Sequence, residues 1–179
     1  MHISSLTARS TATELLLAVP AAQQELYALH QAVWDRVIRA QAIHHAPTIL
    51  YRRDKGLTRV RVSGCAIHGG QPTKACFREN DVVSLEVRLV VSRDGRPVHP
   101  DIARARVRDL VERSGMELMK AEFRCLLASG RKKDMLIELG VADVAAKVRI
   151  RQPQAVAHAW RHGIGRGKRF GFGMMVFKA

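Results

Sequence analysis

Twice along this chain a helical stripe of apolar residues is enclosed by strand patterns, and that interleaving limits the fold more than any other feature. Residues 21–40, AAQQELYALHQAVWDRVIRA, place Leu26, Leu29, Val33 and Val37 at helical spacing. An opening strand is expected at 1–8, followed by a polar loop. After the helix come TILYRR at 48–53 and LTRVRVSG at 57–64, joined by Asp54-Lys55-Gly56, which is a hairpin signal. Residues 65–80 are Gly-rich and expected to be irregular, whereas 81–92, DVVSLEVRLVVS, is a strand pattern. The turn-rich RDGRPVHP at 93–100 is expected to link an N-terminal domain, 1–92, to a C-terminal domain, 101–179. The second half begins with a helix at 101–113 that sets Ile102, Val107, Leu110 and Val111 on one face. Strands follow at 116–128 (whose propensities also suit a helix), 135–140 and 144–150, with a basic turn at 129–134. A helix starts at Pro153 and stops after His162 at Gly163, and a last strand is expected at 172–177. The order in both halves predicts an α+β chain of tandem ferredoxin-like (RRM-like) β-α-β-β-α-β domains. Neither half carries the aromatic signature by which an RRM sheet face stacks bases.

Charge narrows the class of partner. Thirty Lys and Arg stand against sixteen Asp and Glu, a formal net charge of +14. That excess points to a polyanion, nucleic acid first, and leaves a ribosome-associated or simply basic surface open. No apolar run approaches the ~20 residues that cross a bilayer, and no basic amphipathic helix favours a membrane surface. No basic segment precedes the short apolar stretch near the start, so no signal peptide is expected. Cys65, Cys76 and Cys125 are odd in number and lack CxxC spacing, which favours a reducing, cytoplasmic setting. Cys65, His68 and Cys76 lack a fourth ligand at zinc-finger spacing, so no metal site and no cofactor are expected.

The end of the chain holds the most specific pattern. Residues 163–173 read GIGRGKRFGFG, with five glycines and three cations. A P-loop is excluded because Arg169 follows Lys168 where Ser or Thr is required, and the preceding glycine is misplaced. A dinucleotide loop is excluded because this loop follows a helix and precedes a strand. As it stands the stretch is G-I-G-x-x-K-x-x-G-x-G. It resembles the signature loop of the CRISPR-associated RAMP proteins, above all their repeat-processing endoribonucleases of the CasE kind, with Met174-Met175 in place of the usual leucine pair. A second match lies far away: Tyr27-Ala28-Leu29-His30-Gln31 and Trp34 are similar to the Y-x-L-H-Q-x-x-W motif of the first helix in that family. The opening MHISSL is similar to its first strand.

The resemblance implies a metal-independent endoribonuclease that cuts CRISPR precursor RNA at repeat hairpins. The product would end in a 2′,3′-cyclic phosphate, and the enzyme would stay on the crRNA as a subunit of a Cascade-type complex. The residues suit such chemistry. Cleavage by the RNA's own 2′-hydroxyl needs a base, an acid and positive charge on the phosphorane. His30 can serve as acid or base near neutral pH and shares a helical face with Tyr27 and Trp34. Lys168 is the candidate for stabilising the scissile phosphate. Gly163, Gly165, Gly167, Gly171 and Gly173 would let the backbone approach RNA, and Arg166 and Arg169 would bind flanking phosphates. Arg131, Lys132 and Lys133 sit on an expected hairpin tip; in the family such a hairpin contacts the RNA stem. A non-catalytic RAMP-type subunit that holds crRNA is the alternative.

Overall fold

The structure is a computed structural model that describes residues 6–20, 26–39, 47–54, 56–92, 96–132 and 135–178. In chain order the elements are β1 (Thr7–Ala18), α1 (Leu26–Val37), β2 (Thr48–Asp54), β3 (Leu57–Ser63), β4 (Gln71–Arg78), β5 (Val82–Val90), α2 (Pro100–Arg113), β6 (Met116–Lys132), β7 (Met135–Ile150), α3 (Pro153–His162), a 3₁₀ turn (Lys168–Phe170) and β8 (Val176–Lys178). They form two antiparallel four-stranded sheets, ordered β2-β3-β1-β4 and β6-β7-β5-β8. Both orders are those of a ferredoxin-like sheet, and the fold is the tandem α+β arrangement expected from the interleaved patterns.

Burial explains the layers. On α1 the stripe Leu29, Val33 and Val37 is buried against Tyr51, Val60 and Val62 of the first sheet. The other core joins Leu85, Val87 and Leu89 of β5 to alternate residues of β7, to Ala103, Val107 and Val111 of α2, and to Val156 and Trp160 of α3. Ile102, expected on the buried face of α2, is instead half exposed. Its place is taken by Ala103, whose small side chain admits close packing.

Helix α3 ties the halves together. Its last-turn carbonyls have no partner within the helix, and side chains of the first sheet supply them. The carbonyl of Trp160 accepts from Arg61 Nη1 at 3.0 Å and that of Arg161 from Ser63 Oγ at 3.3 Å; one turn earlier, the Ala157 carbonyl also accepts from Ser10 Oγ at 3.3 Å. Arg61 also donates to the Met175 carbonyl at 3.0 Å, pairs with Glu14 at 2.7 Å and lies over the Trp160 ring at 4.0 Å. The buried guanidinium thereby has its charge balanced and its donors used.

Several boundaries differ from expectation. Residues 1–5 of the expected opening strand lie outside the described residues, and the strand observed runs through the supposed polar loop to Ala18. Its alternating small residues suit the position: Ala8 and Ala12 lie under α3, and β1 is flanked by β3 and β4. The stretch 65–80 is irregular only as far as Gly70. Strand β4 follows at the sheet edge, where Pro72 removes no needed ladder bond. The second sheet already includes β5, so the sheets divide at 79–81, where Asn80 turns the chain at φ 68°, and not at the 93–100 linker. The segments 135–140 and 144–150 are one strand. Gly140 lies within it where a Cβ would come 2.8 Å from Pro97 Cα, so the glycine marks a close backbone approach and not a turn. Strand β6 runs to Lys132 in register with Met135, leaving a two-residue connection instead of a six-residue turn. The last strand is shorter than expected because Gly173, at φ 81°, cannot continue a ladder.

Candidate nucleic-acid interface and active site

The glycine-rich loop is a folded element. Helix α3 ends at Gly163, and Ile164, Phe172, Met174 and Met175 are all buried. The Ile164 amide donates to the Gly173 carbonyl at 3.0 Å, and the Gly173 amide donates to the Arg88 carbonyl at 2.8 Å. Between these anchors the turn Lys168–Phe170 is bracketed by Gly167 and Gly171, both left-handed. A Cβ on Gly173 would stand 2.1 Å from the Ile164 carbonyl oxygen, and one on Gly171 2.7 Å from the Tyr51 ring. These two glycines are thus required by internal packing, a role apart from the backbone approach to RNA expected of them.

The turn meets the first helix. Tyr27, His30 and Trp34 line one side of α1, with ring centroids 6.4 Å apart for Tyr27–His30 and 6.0 Å for His30–Trp34. Phe170 packs edge-on to His30 at 6.3 Å. The Arg169 carbonyl accepts from the Tyr51 hydroxyl at 2.5 Å and lies beside the His30 ring. Burial and the nearby Arg169 cation hold the His30 pKa below its ordinary value, with the carbonyl bond opposing them. Both effects favour the neutral imidazole, which carries one donor and one acceptor nitrogen.

Lys168 is half-buried in a cleft of about 600 Å³ lined by Val90, Ser92, Gly165, Arg166 and Arg169. Arg166 is exposed and spends one donor on the Ser92 carbonyl at 2.7 Å. Arg169 is also exposed, with its guanidinium 4.8 Å from the Phe170 ring centroid. Arg131 and Lys132 lie at the far end of β6, on the hairpin with β7. Their side chains, and Lys133 entirely, fall outside the described residues.

Three neighbours of the site were not among the sequence candidates. Tyr51 comes from the buried face of β2, and burial pushes its hydroxyl pKa well up. Phe170 seals the edge of His30. His162 shares a hydrogen bond with Thr48 Oγ1 at 3.0 Å through Nδ1 and stacks on His158 at 4.4 Å. Burial first, then the charges of His158, Arg161 and Lys168, lower its pKa. Only the last-turn position of His162, one residue before Gly163, could have singled it out.

No family profile matches the sequence, and no curated protein does. Solved structures do match in shape. Thermus thermophilus Cse3 bound to an RNA representing a pre-cleavage complex superposes with a TM-score of 0.73 at 12% identity, over 95% of this chain and 100% of that one. Cas6e from Escherichia coli K-12 gives 0.65 at 11% identity, over 93% and 98%. The chain has the Cse3/Cas6e fold. A CRISPR RNA-guided surveillance complex also contains a chain of similar shape, with a TM-score of 0.58 at 14% identity over 94% and 97%. Within the Cse3/Cas6e fold of this protein, the first helix and the last loop are brought together from the two ends of the chain. Among the described residues no helix is long and apolar enough to cross a membrane.

Proposed function

We propose that this chain is a metal-independent endoribonuclease that cleaves CRISPR precursor RNA at repeat hairpins. The observation that carries this reading is the junction of His30 with the Lys168–Phe170 turn: an imidazole packed against the turn, a lysine in an adjoining cleft, and two exposed arginines beside it. The fold shared with Cse3 structures bound to RNA supports RNA as the ligand.

In this reading the acceptor nitrogen of His30 takes the proton of the RNA 2′-hydroxyl, which attacks the adjacent phosphate. The Lys168 ammonium stabilises the charge that builds on the phosphorane oxygens. Tyr27 orients the imidazole or the substrate. The bond between phosphorus and the 5′-oxygen breaks as that oxygen takes a proton from water, leaving a 2′,3′-cyclic phosphate and a 5′-hydroxyl. Arg166, Arg169 and the backbone of the glycine loop hold flanking phosphates, and Arg131, Lys132 and Lys133 grip the stem. The protein stays on its product within a Cascade-type complex in the cytoplasm.

A second reading, a RAMP-type subunit that holds crRNA without cutting it, is favoured by one observation: Phe170 and the Arg169 carbonyl already occupy two sides of the His30 ring. Incubation with a labelled repeat hairpin in EDTA separates the two. The enzyme reading predicts a cut with a cyclic phosphate end, abolished by a 2′-deoxy nucleotide at the cut. Tight binding without cleavage favours the holding subunit, and cleavage of the deoxy substrate rules out internal transesterification.

A further inference from the structure

The second sheet buries one face against α2 and α3 and exposes charged residues on much of the other. Alternate residues of a strand share a face, so the register fixes the rows on the open side. The row nearest the candidate site is apolar: Val90, Val141 and Leu126 lie opposite one another on β5, β7 and β6, packed by Phe172 and Phe170. Phe170 is the ring that touches His30. Two residues along comes the row Arg88–Asp143–Arg124, and two further the row Glu86–Ala145–Glu122. The next row is Ser84–Lys147–Lys120, extended by Lys178 opposite Ser84. It stands six residues along β5 from Val90, about 20 Å at the strand rise.

We propose that this open face binds the unpaired RNA strand that leaves the hairpin at the cut, holding its phosphates on the lysine row. The proposal rests on the nuclease reading for where that strand begins. Charge favours a phosphate backbone. Lys120 and Lys147 face each other directly on neighbouring strands, an unfavourable cross-strand pair that a polyanion would relieve. The acids near them are largely engaged: Asp143 chelates Arg88, and Glu86 is held by Lys178 and by Arg52 at 3.0 Å. Lys178 is also the first cause of the lowered Glu86 pKa. Glu122 is the remaining carboxylate on these rows. Arg124, Lys120 and Lys147 are all exposed. The three charged rows carry no aromatic side chain, so recognition there is of the backbone, indifferent to base sequence.

The test compares K120Q/K147Q with K74Q/R78Q, which removes the same charge from the exposed face of β4 in the other sheet. Binding is measured to a 2′-deoxy-blocked repeat hairpin, to the same hairpin with an unpaired 5′ or 3′ extension, and to an unstructured oligouridine. An extension should tighten binding to wild type and to K74Q/R78Q. K120Q/K147Q should lose that gain, with a salt slope lower by about 1.4, or 0.7 for each lost single-strand contact, and should bind the bare hairpin as wild type does. Oligouridine should weaken in the same variant whether or not the hairpin is ever cut, which separates this proposal from the nuclease reading. Equal losses in both variants would mean diffuse attraction by net charge, and unchanged RNA binding by K120Q/K147Q would assign the face to a protein partner; either result overturns the proposal.

Discussion

Replacing Gly173 by Ala should be among the most damaging single-methyl changes in this chain. The added Cβ would lie 2.1 Å from the Ile164 carbonyl oxygen, which is backbone and cannot swing away. The residue also sits at φ 81°, where an L side chain costs roughly 1–2 kcal/mol. Relieving the clash must move the strands of the loop apart, which breaks the bond from the Ile164 amide to the Gly173 carbonyl and strains the bond from the Gly173 amide to Arg88. Each is worth about 0.5–1.5 kcal/mol net. The sum is about 2–5 kcal/mol, a large part of the stability of an ordinary domain. Gly69→Ala is the control, because Gly69 has φ 77° but nothing within 4 Å of an added Cβ. It should lose only the backbone part, about 1–2 kcal/mol. Urea denaturation of both variants, followed by far-UV circular dichroism, reads the difference. Equal losses, or a Gly173→Ala loss below that of the control, would refute the claim that the loop is packed rather than merely flexible.

Three further outcomes follow from the same geometry. Tyr51→Phe removes the hydroxyl bond to the Arg169 carbonyl and should lower stability by about 1–2 kcal/mol in the same assay while loosening the turn that carries Lys168; wild-type stability would mean that the bond does not hold the turn. Single-turnover cleavage should rise with pH through an apparent pKa below the ordinary 6.5 and then level, because in the proposed reaction the neutral form of His30 is the base. The depressed pKa values of His30 and His162 give the folded state a stability that is present above 6.5 and lost as pH falls, so acid should also lower the denaturation midpoint; a rate that falls as pH rises through 6.5 would recast His30 as an acid. Neutralising Arg131, Lys132 and Lys133 together should weaken hairpin binding and lower its salt slope by at most about one unit per lost contact; an unchanged slope would move the stem site elsewhere.

Local signals carried part of this structure. The α1 stripe, the β2–β3 hairpin and the helix from Pro153 to Gly163 depend on neighbours in sequence, and each was legible there. Most of strand β1 has the sequence of a loop, because Arg9, Ser10, Thr11 and Thr13 are small or polar. Their suitability depends on α3, far along the chain, whose Ala157 carbonyl takes the Ser10 hydroxyl. The place of β5 in the second sheet depends on pairing with β7 and β8, which no window around residues 82–90 contains. At the site, His30 and Lys168 stood out through motifs at the two ends of the chain. Tyr51 did not, because its partner Arg169 lies 118 residues away and an apolar alternation on β2 explains it equally well.

In the proposed reaction His30 and Lys168, from opposite ends of the chain, act together. Single-turnover cleavage of a labelled repeat hairpin by His30→Ala and Lys168→Ala, with affinity measured in parallel, tests it most directly. Loss of a positioned base should slow His30→Ala by about 10²–10⁴-fold with binding nearly unchanged, and Lys168→Ala should lose both rate and some affinity. A His30→Ala protein that cuts at the wild-type rate would contradict the account.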